Sequence, residues 1–209
     1  MSDFIRVSPL EIEKESFKII TKELVDMGIT LDEKKAPIIK RVIHTTADFS
    51  FAESLRFTDD AIETGVNLIR SGATIITDTN MTLAGINKRV EKYGCNVKCF
   101  MADEEVARIA KEQGVTRASV SMEKAMKLPG SKIFAIGNAP TALIELNRIY
   151  EETGNKPDLL IGVPVGFVNV EYSKELFIDK DIEYIINFGR KGGSNIAAAI
   201  VNALSLLVE

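Results

Sequence analysis

The chain has 209 residues, of which 45% are hydrophobic and 27% charged, enough to bury one substantial core without requiring a second domain, so residues 1–209 are expected to form a single domain. A net charge of -4 argues against a nucleic-acid groove or an anionic membrane surface as partner, since either would favour a positive field. No apolar run approaches the ~20 residues that span a bilayer, and Met1-Ser2-Asp3-Phe4-Ile5-Arg6 does not open a secretory leader, so a cytoplasmic protein is expected.

In chain order, Ser8 as N-cap and Pro9 as first helical residue predict a helix carrying Ile12, Phe17, Ile19, Ile20, Leu24 and Met27, stopped at Gly28. A second helix follows over Ala36 to His44, with Ile38, Ile39, Val42, Ile43 and Thr46 forming an apolar stripe. Arg41, His44, Thr45 and Asp48 share its opposite face. His44 is the only histidine, hence the only side chain with an ordinary pKa near neutrality, and the first candidate for proton transfer. Its angle from the stripe places it toward water or toward a cleft, not in the core. Thr58-Asp59-Asp60 is expected to cap a third helix through Ala61, Ile62, Val66, Leu68 and Ile69, ending at Ser71-Gly72.

From there five short apolar runs alternate with helical stretches. The runs are Ala73 to Thr77, Val97 to Met101, Ile133 to Ile136, Leu159 to Val163 and Tyr184 to Phe188. The helices are expected over Thr79 to Tyr93, Asp103 to Gln113, Arg117 to Leu128, Ala139 to Thr153, Val170 to Phe177 and Ile196 to Val208. With right-handed crossovers this is a doubly wound α/β layer with a mostly parallel five-stranded sheet and N-terminal helices. Cys95 and Cys99, beside one strand, form a poor zinc set with a single distant histidine, and read as inert free thiols. Asn80-Met81-Thr82 matches a glycosylation sequon that has no weight without secretion.

Ligands of open α/β sheets gather at the carboxyl ends of strands, which focuses attention on the turns that follow them. These are Asp78-Thr79-Asn80, Gly137-Asn138-Ala139-Pro140, Pro164-Val165-Gly166-Phe167 and Gly189-Arg190-Lys191-Gly192-Gly193-Ser194-Asn195. In the last, glycines permit close backbone approach, Ser194 and Asn195 open a helix whose free N–H groups favour an anion, and Arg190 and Lys191 add positive charge. The alternative is a tight connection, with Ala197 to Ala199 small so that the helix packs closely. Asp78 and Asn138 are either helix caps or ligand contacts. Arg117 is either a solvated arginine or a bidentate carboxylate partner. Neither G-x-G-x-x-G nor G-x-x-x-x-G-K-[ST] occurs, and neither does G-x-S-x-G nor H-E-x-x-H, which weakens dinucleotide, P-loop, serine-hydrolase and zincin readings.

Arg41-Val42-Ile43-His44-Thr45-Thr46-Ala47-Asp48, Asp78-Thr79-Asn80-Met81, Gly114-Val115-Thr116-Arg117, Gly137-Asn138-Ala139-Pro140-Thr141-Ala142-Leu143, Gly162-Val163-Pro164-Val165-Gly166-Phe167-Val168 and Gly189-Arg190-Lys191-Gly192-Gly193-Ser194 together resemble the precorrin-8X methylmutase family of cobalamin biosynthesis. The likeness runs almost the full length, in order. It implies a flavodoxin-like three-layer α/β/α fold, a homodimer with its pocket near the subunit interface, no cofactor, and migration of a methyl group from C-11 to C-12 of a corrinoid. It places the family's histidine on His44, as acid toward a ring nitrogen, with Asp48 a candidate to orient it. The polycarboxylate substrate would explain basic turns on an acidic chain: Arg117, Asp78, Asn138, Arg190, Lys191, Gly192, Gly193 and Ser194 are its expected contacts, with Pro164, Val165 and Phe167 covering the macrocycle face. Two rivals stand beside this reading. One is a non-catalytic α/β module binding an anionic tetrapyrrole or other metabolite. The other is a hydrolase built on His44, Asp48 and a serine, for which no nucleophile elbow is present.

Overall fold

The computed structural model describes Ser8 and residues 11–208. One sheet holds β1 (Leu55–Phe57), β2 (Thr74–Thr77), β3 (Asn96–Cys99), β4 (Lys132–Ile136), β5 (Leu159–Gly162) and β6 (Tyr184–Asn187), in the order β1-β6-β5-β4-β2-β3. β2 through β6 run parallel, and β1 pairs antiparallel with β6. Numbered among themselves, the parallel strands have the order 2-1-3-4-5 of flavodoxin-like sheets.

The near-continuous apolar runs arise because both faces of the sheet are covered. Ile75, Ile133, Ala135, Leu159, Ile161 and Ile185 enter the core beneath α1 (Ile12–Asp26), α2 (Ala36–Thr46), α3 (Phe51–Ser54), α4 (Ala61–Arg70) and α10 (Ser194–Leu206). Their neighbours Ile76, Phe134, Ile136, Leu160 and Ile186 enter the opposite core, beneath α7 (Arg117–Met126) and α8 (Pro140–Thr153). α5 (Asn80–Gly85), α6 (Glu104–Gln113) and α9 (Val170–Glu175) complete the layers. Ala197, Ala198 and Ala199 are buried, and a Cβ on Gly85 would lie 2.8 Å from that of Ala198, so the small run does let α10 pack closely. α10 in turn underlies α2. The Ile38, Ile39, Val42 and Ile43 stripe faces inward, leaving His44 exposed.

Five details differ from the sequence expectation. The sheet has six strands, not five: β1 is three residues long, too short for a periodic signal, and joins only the edge. The helix expected over Thr79 to Tyr93 is broken into α5 and a 3₁₀ turn, Val90–Tyr93. The cause lies in α10, where Asn202 donates to the Gly85 carbonyl at 2.9 Å and accepts from the Asn87 N–H at 2.9 Å, removing groups the helix would need to continue. The first helix begins at Ile12, and the Ser8 hydroxyl donates to the Glu11 carboxylate at 2.8 Å instead of capping a backbone amide. Pro9, the expected first helical residue, lies outside the described residues. Asp60 occupies the N-cap of α4 without a side-chain bond, while Thr58 accepts the Tyr184 N–H at 3.0 Å and pairs with Glu183, stitching β1 to β6. α3, a helix of four residues, has no counterpart in the sequence expectation; the other elements end within two residues of theirs. Cys95 and Cys99 are free, and burial pushes the Cys95 thiol up. Among the described residues no helix is long and apolar enough to cross a membrane.

Candidate active site

The crevice between β2 and β4, where the strand order reverses, is the usual ligand position in such a sheet. Here the chain fills it with its own carboxylate. Asp78 is fully buried and accepts the N–H groups of Gly137 at 3.0 Å, Asn138 at 2.7 Å and Ala139 at 2.6 Å, the amides leading into α8. Burial pushes the Asp78 carboxyl up, and the three donors pull against that. Its role is a cap across the sheet for α8, since α5 has its own cap in Thr79, whose hydroxyl accepts the Thr82 N–H at 3.0 Å. The Asn138 side chain is exposed and has no hydrogen-bond partner among the described residues.

The glycines after β6 answer to neighbouring backbone. A Cβ on Gly192 would lie 2.2 Å from the Val163 carbonyl oxygen, and one on Gly137 would lie 2.7 Å from Ser194 Cα. Gly193 donates to Val163 at 2.9 Å, Gly166 donates to the Arg190 carbonyl at 3.1 Å, and the Ser194 and Thr79 hydroxyls meet at 2.9 Å. The turns after β2, β4, β5 and β6 thus interlock into one platform at the carboxyl edge. Pro164 is buried within it, so it is not a surface for a ligand as expected from the sequence; Val165 and Phe167 are exposed, Phe167 to 83%. The Arg190 guanidinium stands 5.7 Å from the Phe167 ring centre and 3.2 Å from the Glu171 carboxylate, both ion-pair partners about half exposed. Arg117 opens α7 beside the start of α8, a placement fixed by the Thr116 hydroxyl donating to Thr141 at 2.9 Å. Its guanidinium is exposed and has no ion-pair or hydrogen-bond partner among the described residues.

His44 reaches this platform through the end of its own helix. After α2 the chain turns at Ala47, with φ 52, and Asp48 meets Lys191 at 2.5 Å; Lys191 also donates to the Ser50 hydroxyl at 2.9 Å. The Lys191 hydrogen bond, then the bonds from Ser50, hold the Asp48 carboxyl below its usual range. Asp48 therefore serves the β6 turn, and no hydrogen bond joins it to the imidazole among the described residues. The imidazole stacks on Phe17 of α1, ring centres 5.3 Å apart and planes 24° apart. The same phenyl ring lies 4.8 Å from the Arg41 guanidinium, which binds Glu13 at 2.7 Å. That bond, joined by the charges of Arg41 and His44, lowers the Glu13 carboxyl against its desolvation. His44 lines a largely apolar groove of about 370 Å³ with Ile19, Ile20, Ile43, Ala47 and Phe49. Arg41 and Thr45, on the neighbouring helix face, line a second groove of about 450 Å³ with Asn195 and Asn202.

Spacing in the sequence marks Phe17 only as an apolar helix position and gives no sign of Glu13 or of Lys174, a buried residue of α9 beneath the β6 turn. The first of these carried a weak signal, an aromatic residue on a helix packed against the His44 helix.

The precorrin-8X methylmutase family model matches residues 11–207. The cobalt-precorrin-8 methylmutase of Priestia megaterium is 45% identical over 206 residues, covering 98% of this chain and 91% of that protein. That of Salmonella typhimurium is 42% identical over 204 residues, covering 94% of each. The solved precorrin-8X methylmutase of Thermus thermophilus superposes with a TM-score of 0.85 at 35% identity, covering 95% of this chain and 97% of that one. Matched along nearly its whole length in sequence and in fold, the chain belongs to the precorrin-8X methylmutase family, methyl-shifting isomerases of corrin biosynthesis.

Proposed function

We propose that this enzyme moves a methyl group from C-11 to C-12 of precorrin-8 or its cobalt form, giving hydrogenobyrinate or cobyrinate, with His44 as proton donor to a ring nitrogen. The reaction is a [1,5]-sigmatropic isomerisation. The C-11–methyl bond breaks as the C-12–methyl bond forms, the conjugated system reorganises around it, and neither oxidant nor reductant is consumed. Protonating a ring nitrogen draws electron density the way the shift requires, and the proton returns when conjugation is restored. The observation that carries this reading is the setting of His44: the one histidine stands exposed over a largely apolar groove, stacked on Phe17, near the end of a helix that Asp48 and Lys191 join to the carboxyl-edge platform.

Charge on that platform suits a polycarboxylate. Glu171 is a half-exposed partner for Arg190, and such pairs contribute only about 0–1 kcal/mol, so a substrate carboxylate can take its place. Arg117 is available without displacement. Lys191 acts through Asp48, and Asp78 acts by fixing the turn that presents Asn138. Arg190→Ala should raise KM about three- to tenfold at low salt, with the difference shrinking as salt rises. An unchanged KM at low salt removes Arg190 from the pocket.

A groove of about 370 Å³ holds only part of a corrin macrocycle. We read the remainder of the pocket as supplied by a second copy of the chain, with exposed Phe167, Val168 and Tyr172 available to an interface. Sedimentation equilibrium should return twice the chain mass; a monomer at assay concentration refutes the shared pocket.

Asp48 releases its charge only below the usual carboxylate range, so its tie to Lys191 is complete at neutral pH and is lost as pH falls through that depressed value. The shape of the pH–rate profile on either side of neutrality should therefore be the same in Asp48→Asn as in the parent enzyme. A displaced limb would show that Asp48 tunes His44.

Incubating the purified enzyme with metal-free and with cobalt-bearing precorrin-8, followed by visible spectrum, tests the function itself. The corrin spectrum should appear with at least one of them. Binding of both without rearrangement would instead mark a non-catalytic tetrapyrrole-binding module.

A further inference from the structure

Lys174 of α9 has no solvent exposure, and a buried ammonium ordinarily has a carboxylate beside it. Among the described residues this one has none within ion-pair distance. Its Nζ donates to the carbonyl oxygens of Gly189 at 2.8 Å and Lys191 at 2.9 Å, the two ends of the basic segment after β6. An ammonium carries three N–H groups, so one is unengaged. Asn187 converges on the same place: its Nδ2 donates to the Lys191 carbonyl at 2.7 Å, while its Oδ1 is buried without a partner.

The surrounding charges are otherwise engaged. Glu171, on the same helix, acts on Lys174 from a distance and pairs with Arg190. Lys191 pairs with Asp48, and on the neighbouring α8 Glu151 pairs with Lys180. Glu171 thus offsets the positive charge of Lys174 only from a distance, and among the described residues no carboxylate pairs with it beneath the turn.

We propose that Lys174 is a positioning residue for the methyl shift: its ammonium pins the Gly189–Lys191 segment from below and lends the turn the positive potential that draws a substrate carboxylate onto its outer face. The inference rests on the reading of this turn as a carboxylate-receiving part of the site. Burial lowers the Lys174 pKa to about 8, with Glu171 opposing, so the charge is present at neutral pH and is lost as pH rises through that value. The neutral amine keeps two N–H groups for the two carbonyls, so the turn keeps its shape while its potential falls.

The experiment is titration of cobyrinate into wild type, Lys174→Met and Arg190→Ala, at about pH 7 and about pH 9.5, with KM and kcat measured beside it. Wild-type affinity should weaken about tenfold between the two, the order expected for loss of one nearby charge. Lys174→Met should already be about tenfold weaker at the lower pH, show no further change, and keep kcat within about twofold. A purely structural loosening would lower kcat and thermal stability together and leave the pH step in place, which overturns the proposal. Wild-type affinity for both Arg190→Ala and Lys174→Met removes the turn and Lys174 together. Weakening in Arg190→Ala but not in Lys174→Met overturns the Lys174 proposal alone, and the reverse sustains Lys174 while removing Arg190. If Lys174→Met does not fold, the wild-type titration decides: a weakening centred near pH 8 upholds the proposal, and a flat response overturns it.

Discussion

His44→Ala should fold and bind substrate as the parent enzyme does while rearranging it about 10²- to 10⁴-fold more slowly, the range general acid catalysis ordinarily covers. Both halves follow from the geometry. The imidazole is exposed and stacks on Phe17, so truncation leaves no buried group unsatisfied and removes about 0.5–1.5 kcal/mol of aromatic contact. The apolar stripe of α2, which holds that helix on the core, is untouched. Arg190 and Arg117, the arginines proposed to receive substrate carboxylates, lie elsewhere, in the turn after β6 and at the start of α7, so KM should move little. Thermal melting and steady-state kinetics on the visible spectrum check both. A fall in stability matching the fall in rate would make His44 a structural residue.

Asp78→Ala should give the largest loss of stability, about 3–5 kcal/mol in denaturant unfolding. Three backbone N–H groups lose their acceptor at once, that of Gly137 buried and those of Asn138 and Ala139 partly buried, and a buried donor left unpaired costs about 1–3 kcal/mol. Against a total stability of about 5–15 kcal/mol this threatens folding at ordinary temperature. Asp78→Asn should fall between, since the amide oxygen can still accept while its NH₂ faces an amide donor. A wild-type denaturation midpoint in both variants, with KM raised, would return Asp78 to the role of ligand contact that the sequence left open.

The apolar runs announced β2, β4, β5 and β6, because a strand buried on both faces has few polar positions to blur it, while β3, an edge strand with Asn96 and Lys98 exposed, showed only as a shorter, interrupted run. β1 escaped because three residues carry no period, and the break after Gly85 escaped because its cause, Asn202, is distant in sequence. The turn from Gly189 to Asn195 was legible as a glycine-rich strand-to-helix connection, but the neighbours of Gly192 are the Val163 and Pro164 carbonyls, long-range partners that no spacing rule reveals. Asp78 posed the same difficulty: its three donors lie across the sheet in the β4 turn. Lys174 was least visible. In Val170-Glu171-Tyr172-Ser173-Lys174-Glu175 a lysine reads as solvated, and only the fold brings the β6 turn over it. His44 was the opposite case, because its rarity and its angle from the apolar stripe are properties of the sequence itself.

The most direct test of His44 as proton donor is single-turnover rearrangement by His44→Ala with imidazole added. The cavity left beside Phe17 is open to solvent, so a small imidazole can enter where the side chain stood. The rate should be low without it and rise saturably with its concentration, in step with the protonated fraction of the added base. Rearrangement by His44→Ala at the wild-type rate in the absence of imidazole would contradict the account.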